Sequence, residues 1–563
     1  MNVKFNEDTP QFEKMKKIRQ RAEERMVKTF AKKYGLKYIN LIGRTINTDA
    51  LKLIPEERAR KANMAAYDIK DKKIFIAMRS PLPKLVQDEI ASLKRKGFEV
   101  ETLLTSMKSL EKAWSRYGDI SYAVKTEKGV VDLSSADLQD VLDKIKTLDD
   151  AREILAEAVK SKKSYRVSSV IELILYSAYA LGASDVHIET SEDSARVRFR
   201  IDGILIEVVK FDLQLFNRIL SRIKLTAGLK ISIKNNAQDG RFTIKLKDSE
   251  LEIRTSTLPD AYGESIVMRL LDPKAISVPL EKLGFLDYFI EIILREIQKP
   301  NGMIINTGPT GSGKSTTLFA LLRKLINPEN KIITIENPIE YHVPGITQTQ
   351  INLEKGYTFL SGLRAALRQD PDVIMVGEIR DAETAKTAIN SALTGHLVLS
   401  TLHTNSAFGA FPRLVELGVD PKILATAMNI VVAQRLVRKL CPYCKVEMNL
   451  AEKHNRKKAE KIIDIYKKIE NKEKYIDTRK KHIIYEAVGC EKCNMTGYKG
   501  RVAVVEGVLM DEPLEELLKT NPTEREILKN TRHQGILTLK EDAIIKIIKG
   551  ETAYDEVTRV IEL

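Results

Sequence analysis

Long apolar runs are absent from this chain. None approaches the ~20 residues that a bilayer-spanning helix needs, and the best candidate, Val167 to Leu181, is broken by Glu172 and several serines. A transmembrane helix is therefore not expected. The first residues are polar and charged and lack the apolar core of a secretory signal peptide, so the expected location is cytoplasmic. Aromatic residues make up only 6%. That leaves few rings to interleave with basic side chains, which weighs against a channel for single-stranded nucleic acid. Cysteine is scarce as well, with four residues that all fall in two close pairs. No internal repeat or low-complexity tract interrupts the globular texture.

What is present is ordinary for a soluble protein, with 43% hydrophobic and 30% charged residues. At 563 residues the chain is too long for one core, and three or four domains are expected. The net charge of +15 is diffuse and concentrated in helical-looking stretches such as Lys14–Arg25 and Lys457–Lys481. Runs of that kind are usually solvated faces, so direct binding of nucleic acid is not expected.

The most informative stretch is Gly308-Pro309-Thr310-Gly311-Ser312-Gly313-Lys314-Ser315-Thr316. It follows an apolar run, Met303–Ile305, and precedes a helix-like segment from Thr317. The spacing G-x-x-x-x-G-K-[ST] between a strand and a helix is a phosphate-binding loop. Its glycines let backbone N–H groups curl around phosphate, and the helix N-terminus adds partial positive charge. Lys314 reaches the β- and γ-phosphates, and Ser315 offers a hydroxyl to Mg²⁺. ATP and Mg²⁺ are the expected ligands.

In chain order, residues 1–27 read as a charged helical arm and 28–118 as a small α/β domain, with a strand–turn–strand over Asp68–Met78 and a helix over Val86–Lys94. Residues 119–164 read as a linker with one or two helices, on the helical spacing of Leu138, Val141, Leu142 and Ile145. A second α/β domain is expected over 165–275. Its hairpins are Ala195–Ile201 with Ile204–Val209, around Asp202-Gly203, and Arg241–Leu246 with Leu251–Ser256. The nucleotide-binding core follows over 276–436, with strands Lys331–Ile335, Val373–Val376 and Leu397–Thr401 alternating with helices, which predicts a mainly parallel sheet. A cysteine module over 437–505 and a helical region over 506–563, with helix starts near Pro522 and Thr538, complete the chain.

Hydrolysis needs more than a phosphate loop. Glu378 follows the apolar run Val373–Val376, where ligands of α/β sheets gather, and is placed to hold Mg²⁺ through water or to orient the attacking water. Glu336 and Glu340, just beyond the preceding strand, are candidates for a general base. His396 and His403 bracket the next strand and are candidates for reading the γ-phosphate. The pairs Cys441/Cys444 and Cys490/Cys493 read as a closed, structural four-thiolate zinc site. No thioredoxin-like βαβ context surrounds them, which disfavours a redox pair. The gap of about 45 residues between the pairs is long and holds a charged helical stretch.

Taken in order, the phosphate loop, the segment Glu336-Asn337-Pro338-Ile339-Glu340, the segment Asp370-Pro371-Asp372 to Val376-Gly377-Glu378-Ile379-Arg380-Asp381 and the segment Thr394-Gly395-His396 to Thr401-Leu402-His403-Thr404 resemble the Walker A, Asp box, Walker B and His box of the secretion ATPase superfamily. Within it, the chain is most similar to the type IV pilus assembly and type II secretion ATPases. The motifs Ala183–Glu189, Arg198–Gly203, Gln238–Arg241 and Arg254–Pro259 resemble the second N-terminal domain of that group. The resemblance runs from about residue 28 to the end. It implies an α/β multidomain protein with a RecA-like core, a PAS-like second domain, a small α/β docking domain ahead of it and a Cys₄ zinc module.

The resemblance also implies a homohexamer, peripheral to the inner face of the cytoplasmic membrane, that works through an inner-membrane platform protein and a cytoplasmic docking partner. Arg241, Arg254 and Arg269 are then the candidate arginine fingers, Glu340 rather than Glu336 the base, and Glu378 the Walker B acid. The retraction ATPases of the superfamily lack the zinc module and the first N-terminal domain, which tilts the expectation towards assembly or export. Related first domains, in some pilus ATPases, bind cyclic di-GMP through a repeat containing Arg-Leu-Gly; that repeat is not found here, so the resemblance does not carry this ligand over. The chain departs from the family at two places. Asn337 stands where the Asp box has aspartate, and Ile233–Ala237 is poor in arginine. Two alternatives stand beside the motor: a hexameric nucleic-acid translocase, and a nucleotide-gated scaffold with negligible turnover.

Overall fold

The computed structural model describes residues 10–119, 130–132, 144–160, 167–246, 250–272 and 278–563, apart from positions 52, 71–72, 96 and 480–481. Three sheets carry the architecture. The first has the order β1-β4-β3-β2, built from β1 (Lys37–Tyr38), β2 (Met64–Lys70), β3 (Lys73–Met78) and β4 (Glu99–Leu104). The expected strand–turn–strand is the β2–β3 pair, although its turn residues 71–72 lie outside the described residues. The helix Pro10–Lys33 runs across the arm boundary drawn at residue 27, and its Val27 and Ala31 are buried in this sheet's core. The reason is local: no glycine or proline interrupts the chain between Pro10 and Gly35.

The second sheet has the order β5-β9-β10-β11-β6-β7-β8. Its strands are β5 (Val130–Asp132), β6 (Asp185–Thr190), β7 (Ser194–Ile201), β8 (Ile204–Asp212), β9 (Gln238–Lys245), β10 (Glu250–Asp260) and β11 (Gly263–Leu271). Both expected hairpins form. Asp202 and Gly203 take φ values of 47° and 86°, the left-handed pair that a two-residue hairpin loop requires. The stretch 119–164, read as a linker with one or two helices, holds the helix Leu148–Lys160 and ahead of it an unexpected edge strand, β5, parallel to β9. Leu138, Val141 and Leu142, which suggested an earlier helix, lie outside the described residues.

Against this sheet packs the helix Leu213–Thr226, capped by Asp212, whose carboxylate accepts the Leu215 N–H at 2.7 Å. The helix carries Lys224 into the interior, where it pairs with Glu264 on β11 and donates to the Ile233 carbonyl at 2.7 Å. Both side chains are buried.

The third sheet has the order β14-β13-β15-β16-β12-β17-β20. Its members are β12 (Gly302–Thr307), β13 (Ile332–Glu336), β14 (Thr347–Gln350), β15 (Val373–Val376), β16 (Leu397–Leu402), β17 (Met428–Leu440) and β20 (Tyr498–Leu509), with a small β18–β19 pair (Val446–Glu447, Tyr485–Glu486) inserted between the last two. All neighbours pair in parallel except β17 with β20. Boundaries at residues 436 and 505 therefore fall inside two core strands. The long β17–β20 ribbon leaves the sheet and carries the cysteine pairs at its far end. The two expected C-terminal helices start at capping boxes on Thr523 and Thr538.

The Lys224–Glu264 pair generates a stability prediction. Removing one partner of a buried ion pair strands the other charge, at a cost of about 3–5 kcal/mol. Lys224→Ala should lower the denaturant midpoint accordingly, and Lys224→Met combined with Glu264→Leu should recover most of the loss. Equal midpoints for Lys224→Ala and wild type would show that the pair contributes nothing.

Candidate active site: a phosphate cradle and a facing row of arginines

Because β13, β15, β16 and β12 run in parallel, their C-terminal ends share one edge of the sheet. That edge collects Glu336 at the end of β13, Glu378 two residues past β15, His403 just past β16, and the phosphate loop after β12. The loop itself is open at its rim, with Pro309, Thr310, Gly311 and Ser315 exposed, and closed at its base, where Gly308, Ser312 and Lys314 are buried. Gly313 and Thr316 lie between these extremes.

Gly308 and Gly313 take φ values of 148° and 88°. A Cβ at Gly308 would stand 2.6 Å from the Gln434 carbonyl, and one at Gly313 would stand 2.7 Å from Gln434 Nε2. The loop therefore lies flat on β17. Ser312 Oγ is buried with no hydrogen-bond partner, as suits a hydroxyl in a cradle whose donors await an anion.

Lys314 folds back over the loop and donates to the carbonyls of Gly308 at 2.6 Å and Pro309 at 3.0 Å. Burial lowers its pKa to about 8; Glu378 opposes the shift and Arg435 adds to it. An ammonium this poorly hydrated gains strongly from a phosphate.

Gln434 and Arg435 are functional candidates that the motif reading missed. Gln434 Oε1 accepts from Asn306 Nδ2 at 3.0 Å and from Thr317 Oγ1 at 2.8 Å, locking the residues on either side of the loop. Arg435 donates to the Asn405 carbonyl at 2.7 Å, and burial lowers its pKa. The signal was available: two large polar residues interrupt the apolar run Ile430–Ala433.

Glu378 lies 2.7 Å from Arg380 Nε and 3.4 Å from His403 Nε2. The loop after His403 is tied to the base of the phosphate loop, since Thr404 N–H donates to Thr307 Oγ1 at 2.8 Å. It is also tied to β20, where Glu506 accepts the Ala407 N–H at 2.9 Å. Glu336 is buried, and its carboxylate accepts from Thr334 at 2.6 Å and Gln348 at 3.0 Å, with burial raising its pKa. It is the last residue of β13, not a residue beyond it. Glu340 is half-buried, and Asn337 between them is exposed.

His396, expected beside His403 at the γ-phosphate, lies away from this edge. It precedes β16, so six strand residues, ~20 Å at the usual rise, separate it from the edge that bears the phosphate loop. Its Nδ1 instead meets the Ser391 carbonyl at 3.0 Å, at the end of a neighbouring helix. A histidine at each end of a strand cannot serve one cleft of the same subunit.

The three arginines expected to face the nucleotide form a single row. Arg254 on β10 is in register with Arg241 on β9 and with Arg269 on β11, so the three sit side by side across the sheet. They differ in what they touch. Arg254 reaches the core, with Nη2 donating to the Ile339 carbonyl at 2.7 Å and Nη1 lying 3.9 Å from Glu340. Arg269 is held within its own sheet by Asp185, at 3.0 Å. Arg241 is exposed.

The four cysteine sulfurs lie within 4.8 Å of one another. The Cys441–Cys490 and Cys444–Cys493 separations are 3.9 and 3.7 Å, close to the ~3.8 Å edge of a tetrahedron with Zn–S bonds of ~2.3 Å. The N–H groups of Cys490 and Gly497 point at Cys493 Sγ, each at 3.2 Å. Such donors stabilise a thiolate, and the donor set fits zinc.

Residues 160–559 match the type II/IV secretion system protein family, and residues 34–123 match the MshEN domain. The chain belongs to the type II/IV secretion system protein family. It is 37% identical to the type IV pilus assembly ATPase PilB of Myxococcus xanthus over 95% of this chain and 90% of that one. It is 43% identical to the type II secretion system ATPase E of Vibrio cholerae over 72% of this chain and 77% of that one. The ATPase DotB of Legionella pneumophila shares the fold, with a TM-score of 0.50 and 22% identity over 71% of this chain and 97% of that one. This family member is an ATPase, and among its described residues no helix is long and apolar enough to cross a membrane.

The depressed lysine sets a pH dependence. Below about pH 8 Lys314 is protonated and meets phosphate as a cation; above it the nucleotide-free protein carries a neutral amine that must take up a proton on binding. ATP affinity should therefore fall with rising pH above about 8, by up to about tenfold per pH unit. Calorimetry in buffers of different ionisation enthalpy should detect that proton uptake at pH 9 and not at pH 7.

Proposed function

We propose that the chain is a homohexameric motor. In this reading ATP hydrolysis drives assembly of a type IV pilus or type II secretion pseudopilus through an inner-membrane platform protein, with the first N-terminal domain docking on a cytoplasmic partner. The observation that carries the reading is the reach of Arg254 from the second sheet to the Ile339–Glu340 edge of the nucleotide cleft. A simple nucleotide-binding protein has no need of an arginine delivered from a separate sheet.

The residue roles follow from chemistry. The loop Gly308–Thr316 wraps the phosphates, and Lys314 leaves the Gly308 and Pro309 carbonyls for the β- and γ-oxygens. Ser315 and, through water, Glu378 are the residues that would hold Mg²⁺, which when bound neutralises charge on the β- and γ-phosphates. Glu340 accepts the proton of the attacking water. His403, beside Glu378, senses whether the γ-phosphate is present. Arg254 stabilises the charge that develops on the transferred phosphoryl, with Arg241 and Arg269 as its neighbours in the row. Cys441, Cys444, Cys490 and Cys493 hold one structural zinc at the far end of the β17–β20 ribbon.

Phosphate release by the purified full chain tests this. Wild type should turn over, Glu378→Gln should lose turnover while still binding ATP, and Arg254→Ala should lose about 10³-fold or more in kcat. The platform protein's cytoplasmic domain, and not DNA, should stimulate. Stimulation by DNA would make the chain a translocase, and no turnover under any condition would make it a scaffold. Metal analysis should find one zinc per chain, lost in Cys444→Ser together with Cys493→Ser.

A further inference from the structure

The second sheet touches the core at a place that neither nucleotide chemistry nor zinc ligation uses. Asn494, directly after Cys493 in the second knuckle, accepts the backbone N–H of Leu148 at 2.8 Å. Leu148 opens the helix Leu148–Lys160, which is fastened to the second sheet where Arg152 donates to the Glu207 carbonyl on β8 at 3.1 Å. In parallel, Asp202 in the β7–β8 turn accepts the backbone N–H of Gly500 on β20 at 2.9 Å, and its other oxygen lies 3.8 Å from Arg501. Two acceptors thus join the sheet and its flanking helix to one short segment, Asn494–Arg501.

That segment is stiff. The N–H···S bonds from Cys490 and Gly497 fix the turn around Asn494, and Thr496 Oγ1 donates to the Cys493 carbonyl at 2.6 Å. Gly500 and Arg501 belong to a strand paired along its length with β17. Arg254 joins the sheet to the core elsewhere. In the strand order it stands three to four spacings from the β7–β8 turn, ~15–19 Å away. A second attachment so far from the first restricts rotation of the sheet about Arg254.

We infer that Asp202 and Asn494 are positioning residues, a clasp that docks the second sheet on the knuckle and so holds Arg254 at the Glu340 edge of the cleft. The inference rests on the reading of Arg254 as the phosphate-facing arginine. Neither clasp residue touches nucleotide. They act by restricting where the arginine row stands, so their loss lowers the fraction of time in which the row is engaged and leaves the phosphate cradle intact.

The backbone at both positions makes a clean test possible. Asp202 and Asn494 have φ values of 47° and 51°, which glycine adopts at no steric cost. Asp202→Gly and Asn494→Gly therefore delete the acceptors and keep the turns, while Asp202→Asn keeps an acceptor. In the full chain, the double glycine variant should show kcat reduced by about tenfold or more, a small part of the 10³–10⁵ that an arginine supplies in phosphoryl transfer. Affinity for a fluorescent ATP analogue should stay within about twofold of wild type, and Asp202→Asn should restore turnover. Hydrogen exchange at the Leu148 and Gly500 amides should accelerate, with zinc content unchanged.

Wild-type kcat in the double variant despite accelerated exchange would overturn the inference, as would exchange that does not accelerate. Arg254→Ala separates this from failure of the underlying reading. If Arg254→Ala is slow and the double variant is not, the clasp alone is wrong. If Arg254→Ala turns over like wild type, both fall.

Discussion

Lys314 holds a positive charge where water reaches it poorly, and the nucleotide end of the core is arranged around that fact. The loop that surrounds it lies flat on β17 because two glycines permit an approach no side chain would allow. Its ammonium is satisfied by two carbonyls of the same loop, bonds a phosphate replaces with stronger, charge-assisted ones. The depressed pKa and the orphaned Ser312 hydroxyl have one origin, a polar cradle removed from solvent before its anion arrives.

From that cradle, rigid links run outward. Gln434 joins the two flanks of the loop through Asn306 and Thr317. Thr307 joins it to the strand end that bears His403, and Glu506 joins the same segment to β20. The β17–β20 ribbon continues to the cysteine cluster, and the knuckle there meets the second sheet at Leu148 and Asp202. The second sheet returns to the cleft through Arg254. The contacts close a circuit that links the cysteine cluster, through the second sheet, to Arg254 beside Glu340.

Much of this was legible in the residues. The phosphate loop, the strands β12, β13, β15 and β16, both hairpins of the second sheet and the pairing of the cysteines all rest on short-range chemistry: glycines at fixed offsets, apolar runs, a turn dipeptide and C-x-x-C spacing. The misreadings share a different cause. The arm boundary at 27, the linker reading that overlooked β5 and the boundaries at 436 and 505 each took a change of composition for a change of structure. Yet the helix Pro10–Lys33 and the strands β17 and β20 continue across those changes because their packing partners lie far away in the chain.

The sequence by itself determined the chemistry on offer: a phosphate-binding loop, a carboxylate after an apolar strand, four thiols in two pairs, and three arginines within the second α/β domain. Only the tertiary structure decided how these are used. Parallel pairing put Glu378 and His403 at the edge of the phosphate loop and left His396 at the opposite one, because side chains at the two ends of a strand are separated by its full length. Strand register aligned Arg241, Arg254 and Arg269 in one row. Docking of the second sheet on the core selected Arg254 as the one that reaches across, while Asp185 retains Arg269. Register and docking are sums over many distant contacts, and no local motif records them.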